Sequence, residues 1–303
     1  MDGRQPRAAR QAISGVLLLD KPEGLSSNTT VQKVRRLFNA QKAGHTGTLD
    51  PFATGLLPIC LGEATKFSAD LLDADKTYEA IAQLGVTTTT GDTEGEVLER
   101  LPVVNIDATA VASVLQKFRG PIQQIPPMHS ALKRDGIALY EYARKGIEVE
   151  HAPRDIQIHA LELLALEHDQ LKFRVCCSKG TYVRVLAEDI GAALGCGAHL
   201  IALRRLQVGP LLLEQGVTLE QLAQLSAAER VHLLHPVDHL LQTLPRLDLD
   251  DAYAARFRQG QRLMVTANVS GRVRVYGGDR LLGSALLEES GRLQPERLVV
   301  EAA

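Results

Sequence analysis

Apolar positions recur with two different periods along this chain, and the switches between them mark out its elements. Gly15-Val-Leu-Leu-Leu-Asp20 is a continuous apolar run closed by Lys21-Pro22-Glu23-Gly24, the pattern of a buried strand followed by a turn. Val31, Val34 and Leu37 then recur at helical spacing behind Ser26, Ser27 and Asn28, which offer N-caps, while Lys33, Arg35 and Arg36 take the other face. Thr77 to Leu84 alternates, with Tyr78, Ala80, Ala82 and Leu84 on one side, and predicts a half-buried strand. Thr87 to Glu96 is polar and turn-rich, a surface loop. Asp107 caps a predicted helix bearing Val111, Val114, Leu115 and Phe118.

The second half continues in the same terms. Pro126 and Pro127 exclude a central helix or strand from the stretch 123–133, and Ala138 to Lys145 predicts a short helix ended by Gly146. With Lys133, Arg134, Arg144 and Lys145, the segment 123–154 reads as an insertion, either a clamp for a ligand or a solvated excursion. Ile156–Leu163 and Leu171–Cys177 alternate as antiparallel strands turned by His168-Asp169-Gln170. Cys177 to Arg184 is a strand–turn–helix junction, with Gly180 in the turn and Leu186, Ile190 and Leu194 as the helix's buried face. An arginine in a first helical turn opposes the helix dipole, so Arg184 calls for an external carboxylate or phosphate. Gly195 to Arg205 predicts a second short helix ending in two arginines. Thr218-x-x-Gln221 and Ser226-x-x-Glu229 are capping boxes. After about residue 247, short strands at Arg262–Thr266, Gly271–Tyr276 and Leu281–Leu286 mark a small β-rich domain.

Composition narrows the function classes. The chain has 303 residues, 45% of them hydrophobic, enough for one large domain and a small one. No run is long enough to span a bilayer and no signal peptide is evident, so a cytoplasmic protein is expected. With Arg4, Arg7 and Arg10 and little that could pack, residues 1–12 are expected to be a basic, flexible leader. Cys60, Cys176, Cys177 and Cys196 form no Cys-x-x-Cys pair and are expected to be reduced and structural. The net charge is −2, but residues 1–45 hold eight Lys/Arg against three acids, and residues 210–252 hold two against seven. Such polarity allows one basic face for a polyanion.

One stretch fits neither period. Residues 43–55, Ala-Gly-His-Thr-Gly-Thr-Leu-Asp-Pro-Phe-Ala-Thr-Gly, carry three glycines and a proline directly after Asp50. Glycine opens backbone conformations closed to other residues and Pro51 disfavours the helical region at Asp50, so a structured loop holding one carboxylate is predicted. A turn whose Asp caps a neighbour is the plainer reading. Paired carboxylates of the glycosidase kind, zinc-protease histidine spacing and a nucleotide-binding fingerprint are all missing from the sequence. His232, His235 and His239 fall at helical spacing without a supporting acid motif, and no metal is expected. One Asp, two Tyr and an Arg from separate segments remain, in a setting without a cofactor.

These residues carry a resemblance. Gly44-His-Thr-Gly-Thr-Leu-Asp-Pro51 with Ala53-Thr-Gly55 resembles the catalytic motif of pseudouridine synthases of the TruB type. So do Gly15–Gly24, Lys76-Thr-Tyr78, Ser178-Lys-Gly-Thr-Tyr-Val-Arg184 and Gly195-Cys-Gly-Ala-His-Leu200, in family order from about residue 13 to 206. The resemblance implies an α+β fold: a mixed, mainly antiparallel central sheet flanked by helices over residues 13–245, with a small β-rich, RNA-binding-like domain over 246–303. It implies isomerisation of the T-loop uridine at position 55 of tRNA to pseudouridine, without cofactor or metal, by a monomer that needs no protein partner and no membrane.

It also implies roles for single residues. Asp50 acts on the ribose so that the C1′–N1 bond breaks, by attack at C1′ or by deprotonation at C2′. Tyr78 stacks on the flipped uracil, and Arg184 pairs with Asp50 and keeps it ionised. His45 fills the space that the target base vacates, Tyr182 and Leu203 contact the nucleotide, and Lys21 is a basic residue near the site. The insertion 123–154 clamps the T-arm. A tRNA-folding chaperone, with or without the chemistry, and a guide-RNA-dependent synthase subunit are the competing expectations.

Overall fold

The computed structural model describes residues 9–300 apart from 131, 135, 144, 148, 150 and 151. Arg4, Arg7 and Arg144 lie outside the described residues, as do the side chains of Lys133 and Arg134. Gln11 already exchanges backbone hydrogen bonds with Asn39 and Gln41.

β1 (Gly15–Lys21) is the predicted buried strand, and its apolar residues are hidden on both faces. α1 (Ser27–Leu37) begins where the Ser26 hydroxyl accepts the Thr29 amide, and it buries Val31 and Val34. β2 (Ala43–His45) and β3 (Thr54–Leu61) flank the glycine loop, so the loop proper is shorter than its composition suggests. A 3-10 segment, Gly62–Leu71, leads into β4 (Lys76–Leu84), which alternates as predicted. β5 (Val86–Thr88) and β6 (Val97–Arg100) form a hairpin whose turn, residues 89–96, is most of the predicted loop, but this turn buries Asp92. α2 (Ala108–Lys117) is capped by Asp107, and β7 (Gly120–Gln124) stops before Pro126 at the sheet edge. The insertion holds β8 (Lys133–Arg134), β9 (Ile137–Ala138) and α3 (Leu139–Ala143).

β10 (Arg154–Glu167) and β11 (Gln170–Cys177) make the predicted hairpin, with His168 at φ 54° in its turn. α4 (Val183–Ala193) follows, and then β12 (Ala198–Val208). Here the structure corrects the sequence, which predicts a helix over Gly195–Arg205. Gly195 and Gly197 adopt positive φ (81° and 67°) and end the helical run, and the chain enters the middle of the sheet. Register shifts between Leu200 and Ala202 and between Arg205 and Gln207 break the two-residue alternation. They leave Leu200, Leu203 and Leu206 three apart, a spacing that imitates a helix.

β13 (Leu211–Leu212), β14 (Val217–Thr218), α5 (Leu219–Gln224) and α6 (Ala227–His232) complete this part, both short helices starting in fully formed capping boxes. Its sheet runs β14-β1-β3-β12-β4-β11-β10-β7, with β2 and β13 paired to β3 and β12. Only the β1–β14 and β12–β3 pairs in it are parallel among the described residues, so it is the expected mixed, mainly antiparallel sheet. One face packs on α1, α2 and α4 through Val31, Val34, Val111, Leu186 and Ile190, and the other on Phe67, Leu71, Leu240 and Leu241.

β15 (Arg246–Leu249), α7 (Asp251–Arg258), β16 (Leu263–Met264), β17 (Gly271–Gly277), β18 (Arg280–Leu287) and β19 (Arg292–Leu298) form a second sheet with its own core around Phe257, Val273, Val275 and Leu293. Arg272 pairs with Asp70, the Tyr276 hydroxyl donates to Asp238, and Lys66 donates to the Leu298 carbonyl, which ties this sheet to the larger one. No helix among the described residues is long and apolar enough to cross a membrane.

Candidate active site

The loop between β2 and β3 is held by the elements before it. The Ser27 hydroxyl, at the start of α1, donates to the Leu49 carbonyl (2.9 Å) and accepts the Leu49 amide (2.8 Å). Lys21, at the end of β1, is fully buried, and its Nζ donates to the carbonyls of Pro22 (2.8 Å), Leu25 (2.7 Å) and Pro51 (3.2 Å). The Gly24 amide also donates to the Pro51 carbonyl. The turn Lys21–Gly24 thus clamps the residue directly after Asp50. Desolvation lowers the Lys21 pKa to about 8.

Asp50 projects toward α4. Arg184 Nε sits 3.0 Å from Asp50 Oδ2, and Nη1 sits 3.3 Å from Asp92 Oδ2. The same guanidinium donates to the carbonyls of Thr90 (2.8 Å) and His129 (2.9 Å). One fork therefore joins the glycine loop, the β5–β6 turn and the insertion. Arg184 and Asp92 are buried, while Asp50 keeps a third of its side chain exposed. The partner that the first-turn arginine called for is internal, and it is double. Burial pushes the Asp50 carboxyl up from its ordinary value; Arg184 opposes that rise and the like charge of Asp92 adds to it. A single carboxylate facing Arg184 alone would stay ionised more readily than Asp50 does. Glu188, one turn along α4, is pushed up to about 7 by burial.

The Asp50–Arg184 pair borders a cavity of about 360 Å³. Asp50 and Arg184 stand on its wall with Tyr78 from β4, Tyr182 from the start of α4 and Leu203 from β12. Tyr78 and Leu203 are nearly covered, each showing under a tenth of its surface. Tyr182 is set by Gln124, whose side chain accepts the Tyr182 amide (2.7 Å) and donates to its carbonyl (3.1 Å). Five of the seven residues singled out in the sequence thus meet around one space. His45 and Lys21 stand outside its lining: His45 ends β2, and its Nδ1 accepts the Gly47 amide (3.1 Å). Burial and the charge of Arg205 lower the His45 pKa, favouring a neutral ring with its proton on Nε2.

The structure adds residues that the sequence did not disclose. Asp92 hides in a turn that reads as solvated. Lys76 lines the cavity, with Nζ on the Leu72 (2.6 Å) and Ala74 (2.5 Å) carbonyls. Arg205 lies beneath Tyr78. The pairing of Lys76-Thr-Tyr78 in one motif was a signal for Lys76; for Asp92 there was none. Among the described residues no group of three or more His, Cys, Asp or Glu is placed to hold a metal ion.

Comparison with known proteins bears on the whole chain. Residues 35–183 match the N-terminal domain of the TruB family pseudouridylate synthases, and residues 184–242 and 245–299 match two C-terminal domains described for tRNA pseudouridylate synthase B and for pseudouridine synthase II TruB. Proteins called tRNA pseudouridine synthase B from Burkholderia mallei and Dechloromonas aromatica are 59% and 57% identical to it, over 99% and 97% of this chain and 98% of each relative. The chain belongs to the TruB family. Among solved structures, a Cbf5-Nop10-Gar1 complex gives a TM-score of 0.71 at 27% identity, covering 95% of this chain and 84% of that one. An H/ACA RNP bound to a substrate RNA containing 2′-deoxyuridine gives the same score at 25% identity, covering 95% and 85%. Within the TruB family match, Asp50 and Tyr78 fall in the N-terminal domain and Arg184 opens the next one, so the cavity is assembled across that division.

Proposed function

We propose that this chain is a tRNA pseudouridine synthase that isomerises the T-loop uridine at position 55, with Asp50 as the essential group. The observation that carries the reading is the Asp50–Arg184 ion pair on the wall of a cavity that Tyr78 also lines. The names of relatives 57–59% identical over nearly the full chain support the substrate and the reaction.

The chemistry follows from the groups present. A uridine inside a folded loop has to leave its stack to reach a carboxylate in a cavity. Stacking on Tyr78 returns roughly 1–3 kcal/mol of that cost. Asp50, held by Arg184, acts on the ribose and the C1′–N1 bond breaks with its electron pair on the base. The base turns against Tyr78 and Leu203, C5 bonds to C1′, and the proton lost from C5 is balanced by one gained at N1. Reactant and product are isomers, so the reaction consumes no oxidant, reductant or second substrate. The insertion 123–154, joined to Arg184 through the His129 carbonyl, is the segment assigned to gripping the T-arm. The protein works as a cytoplasmic monomer without a cofactor or protein partner.

The test uses a tRNA transcript labelled with tritium at uracil C5, incubated with the wild type and with Asp50→Asn. Release by the wild type alone, mapping to the T-loop uridine, is the expected result. If neither protein releases label while both bind the tRNA, the catalytic assignment fails and a tRNA-folding chaperone takes its place.

A further inference from the structure

Arg205 heads the fully buried side chains by volume among the described residues, and no carboxylate there forms an ion pair with it. Hiding an uncompensated charge is costly, and a leucine or methionine would fill the space without that cost. What the guanidinium does instead is join segments. Its Nε donates to the Leu56 carbonyl on β3 (2.7 Å), Nη2 to Gly47 (3.1 Å) and Nη1 to Thr48 (3.4 Å), the last two in the loop that ends at Asp50. Its strand neighbour on β4 is Tyr78, and the two side chains line the same cavity. On the other side its neighbour is Gly55, where a Cβ would stand 2.3 Å from the Arg205 carbonyl oxygen. β3 and β12 approach that closely because residue 55 lacks a side chain. The guanidinium is thus bonded to the loop of Asp50 from the residue that pairs with Tyr78 across β12 and β4.

We propose that Arg205 is a positioning residue, whose planar fork fixes the loop of Asp50 relative to the Tyr78 ring while the detached base turns between them. The proposal rests on the function proposed above. A base that has lost its bond to the sugar is held by its stacking surface alone, and a displacement of about 1 Å between reacting groups costs on the order of 100-fold in rate. A lysine keeps the charge but is a point donor on a flexible stem, and does not reproduce a planar fork spanning three carbonyls.

The experiment measures single-turnover tritium release and tRNA affinity by filter binding for the wild type, Arg205→Lys and Arg205→Gln. Both variants are expected to lose about 100-fold in rate, on the scale of such a displacement, with affinity within threefold of wild type. Lysine turnover within threefold of wild type overturns the proposal, since charge alone then suffices. A loss of affinity matching the loss of rate overturns it as well, because the residue then serves binding in general. A wild type that releases no label sinks the proposed function itself, and is seen before any variant is compared. If melting curves show that the variants do not fold, nitrogen-15 spectra of arginine-labelled wild type decide. A locked fork gives separate Nη signals, and a freely rotating one, averaged to a single signal, refutes the proposal.

Discussion

Replacing Asp92 by Asn asks how far Asp50 depends on its neighbour. Arg184 holds Asp50 through Nε at 3.0 Å and Asp92 through Nη1 at 3.3 Å. At the second separation two unit charges attract by about 5 kcal/mol in a medium of effective dielectric constant about 20. Three effects offset this: desolvation of Asp92, its repulsion of Asp50, and the ability of a neutral Asn oxygen to accept from Nη1. The net loss on substitution is about 2 kcal/mol, at the low end for a buried pair because Arg184 keeps Asp50 and two carbonyls. Such a loss lowers the melting temperature by about 4–8 °C. The pH effect has a definite sign. Asp92 raises the proton affinity of Asp50, so Asn lowers it. With Asp50 in its proposed role, the rate falls as pH drops through the Asp50 pKa, and the acid limb of the variant lies at lower pH. At the optimum the rate drops about tenfold, or about 1.4 kcal/mol, because the fork has lost one of two ionic anchors. Melting curves and single-turnover tritium release from acid to neutral pH measure all three. A variant that melts with the wild type, or whose acid limb moves to higher pH, would refute the coupling.

Further outcomes follow from the same geometry. Gly55→Ala combines a φ of 99° with a Cβ 2.3 Å from backbone, and is expected to cost about 3 kcal/mol and to abolish turnover; a melting curve near that of wild type would contradict the close approach of β3 and β12. Glu188 is raised to about 7 by burial, so the folded chain holds its proton between pH 4.5 and 7 where the unfolded chain does not, and stability falls as pH rises through that window. Glu188→Gln is expected to stabilise the protein by about 1–2 kcal/mol at pH 8 and to flatten this slope, read from urea midpoints. Lys21 and Lys76 are lowered to about 8 from 10.5, so the unfolded chain binds more protons between those values and stability from these groups rises with pH there. In Lys76→Met the rise is smaller; an unchanged slope of denaturation midpoint against pH counts against the assignment.

Local rules were legible wherever local interactions decide the structure. Ser26, Asp107, Thr218 and Ser226 cap helices as their positions predict, and Tyr78 to Leu84 alternates because one face of β4 is core. Asp50, Tyr78, Tyr182, Arg184 and Leu203 were found through their motifs, and the fold brings them to one cavity. What stayed hidden depends on distant partners. β12 reads as a helix because two register shifts erase its alternation. Asp92 reads as a solvated turn residue because its partner lies 92 positions away in sequence, and Arg205 reads as a helix-end cation because the strand that buries it carries a helix-like pattern. The C-terminal sheet was seen in part: β15 and α7 went unpredicted, and β19 is broken in pattern by Pro295.

The placement of β12 has a consequence for the birth of the protein. Asp50 and Tyr78 leave the ribosome long before Leu203 and Arg205, and β12 is the strand that lies between β3 and β4. Until it inserts, the emerging chain has Asp50 and the Tyr78 ring but neither Leu203 nor Arg205 to complete the cavity. Closing a gap of more than a hundred residues is entropically slow. The cavity is therefore completed only when β12, made more than a hundred residues after Asp50, docks between β3 and β4.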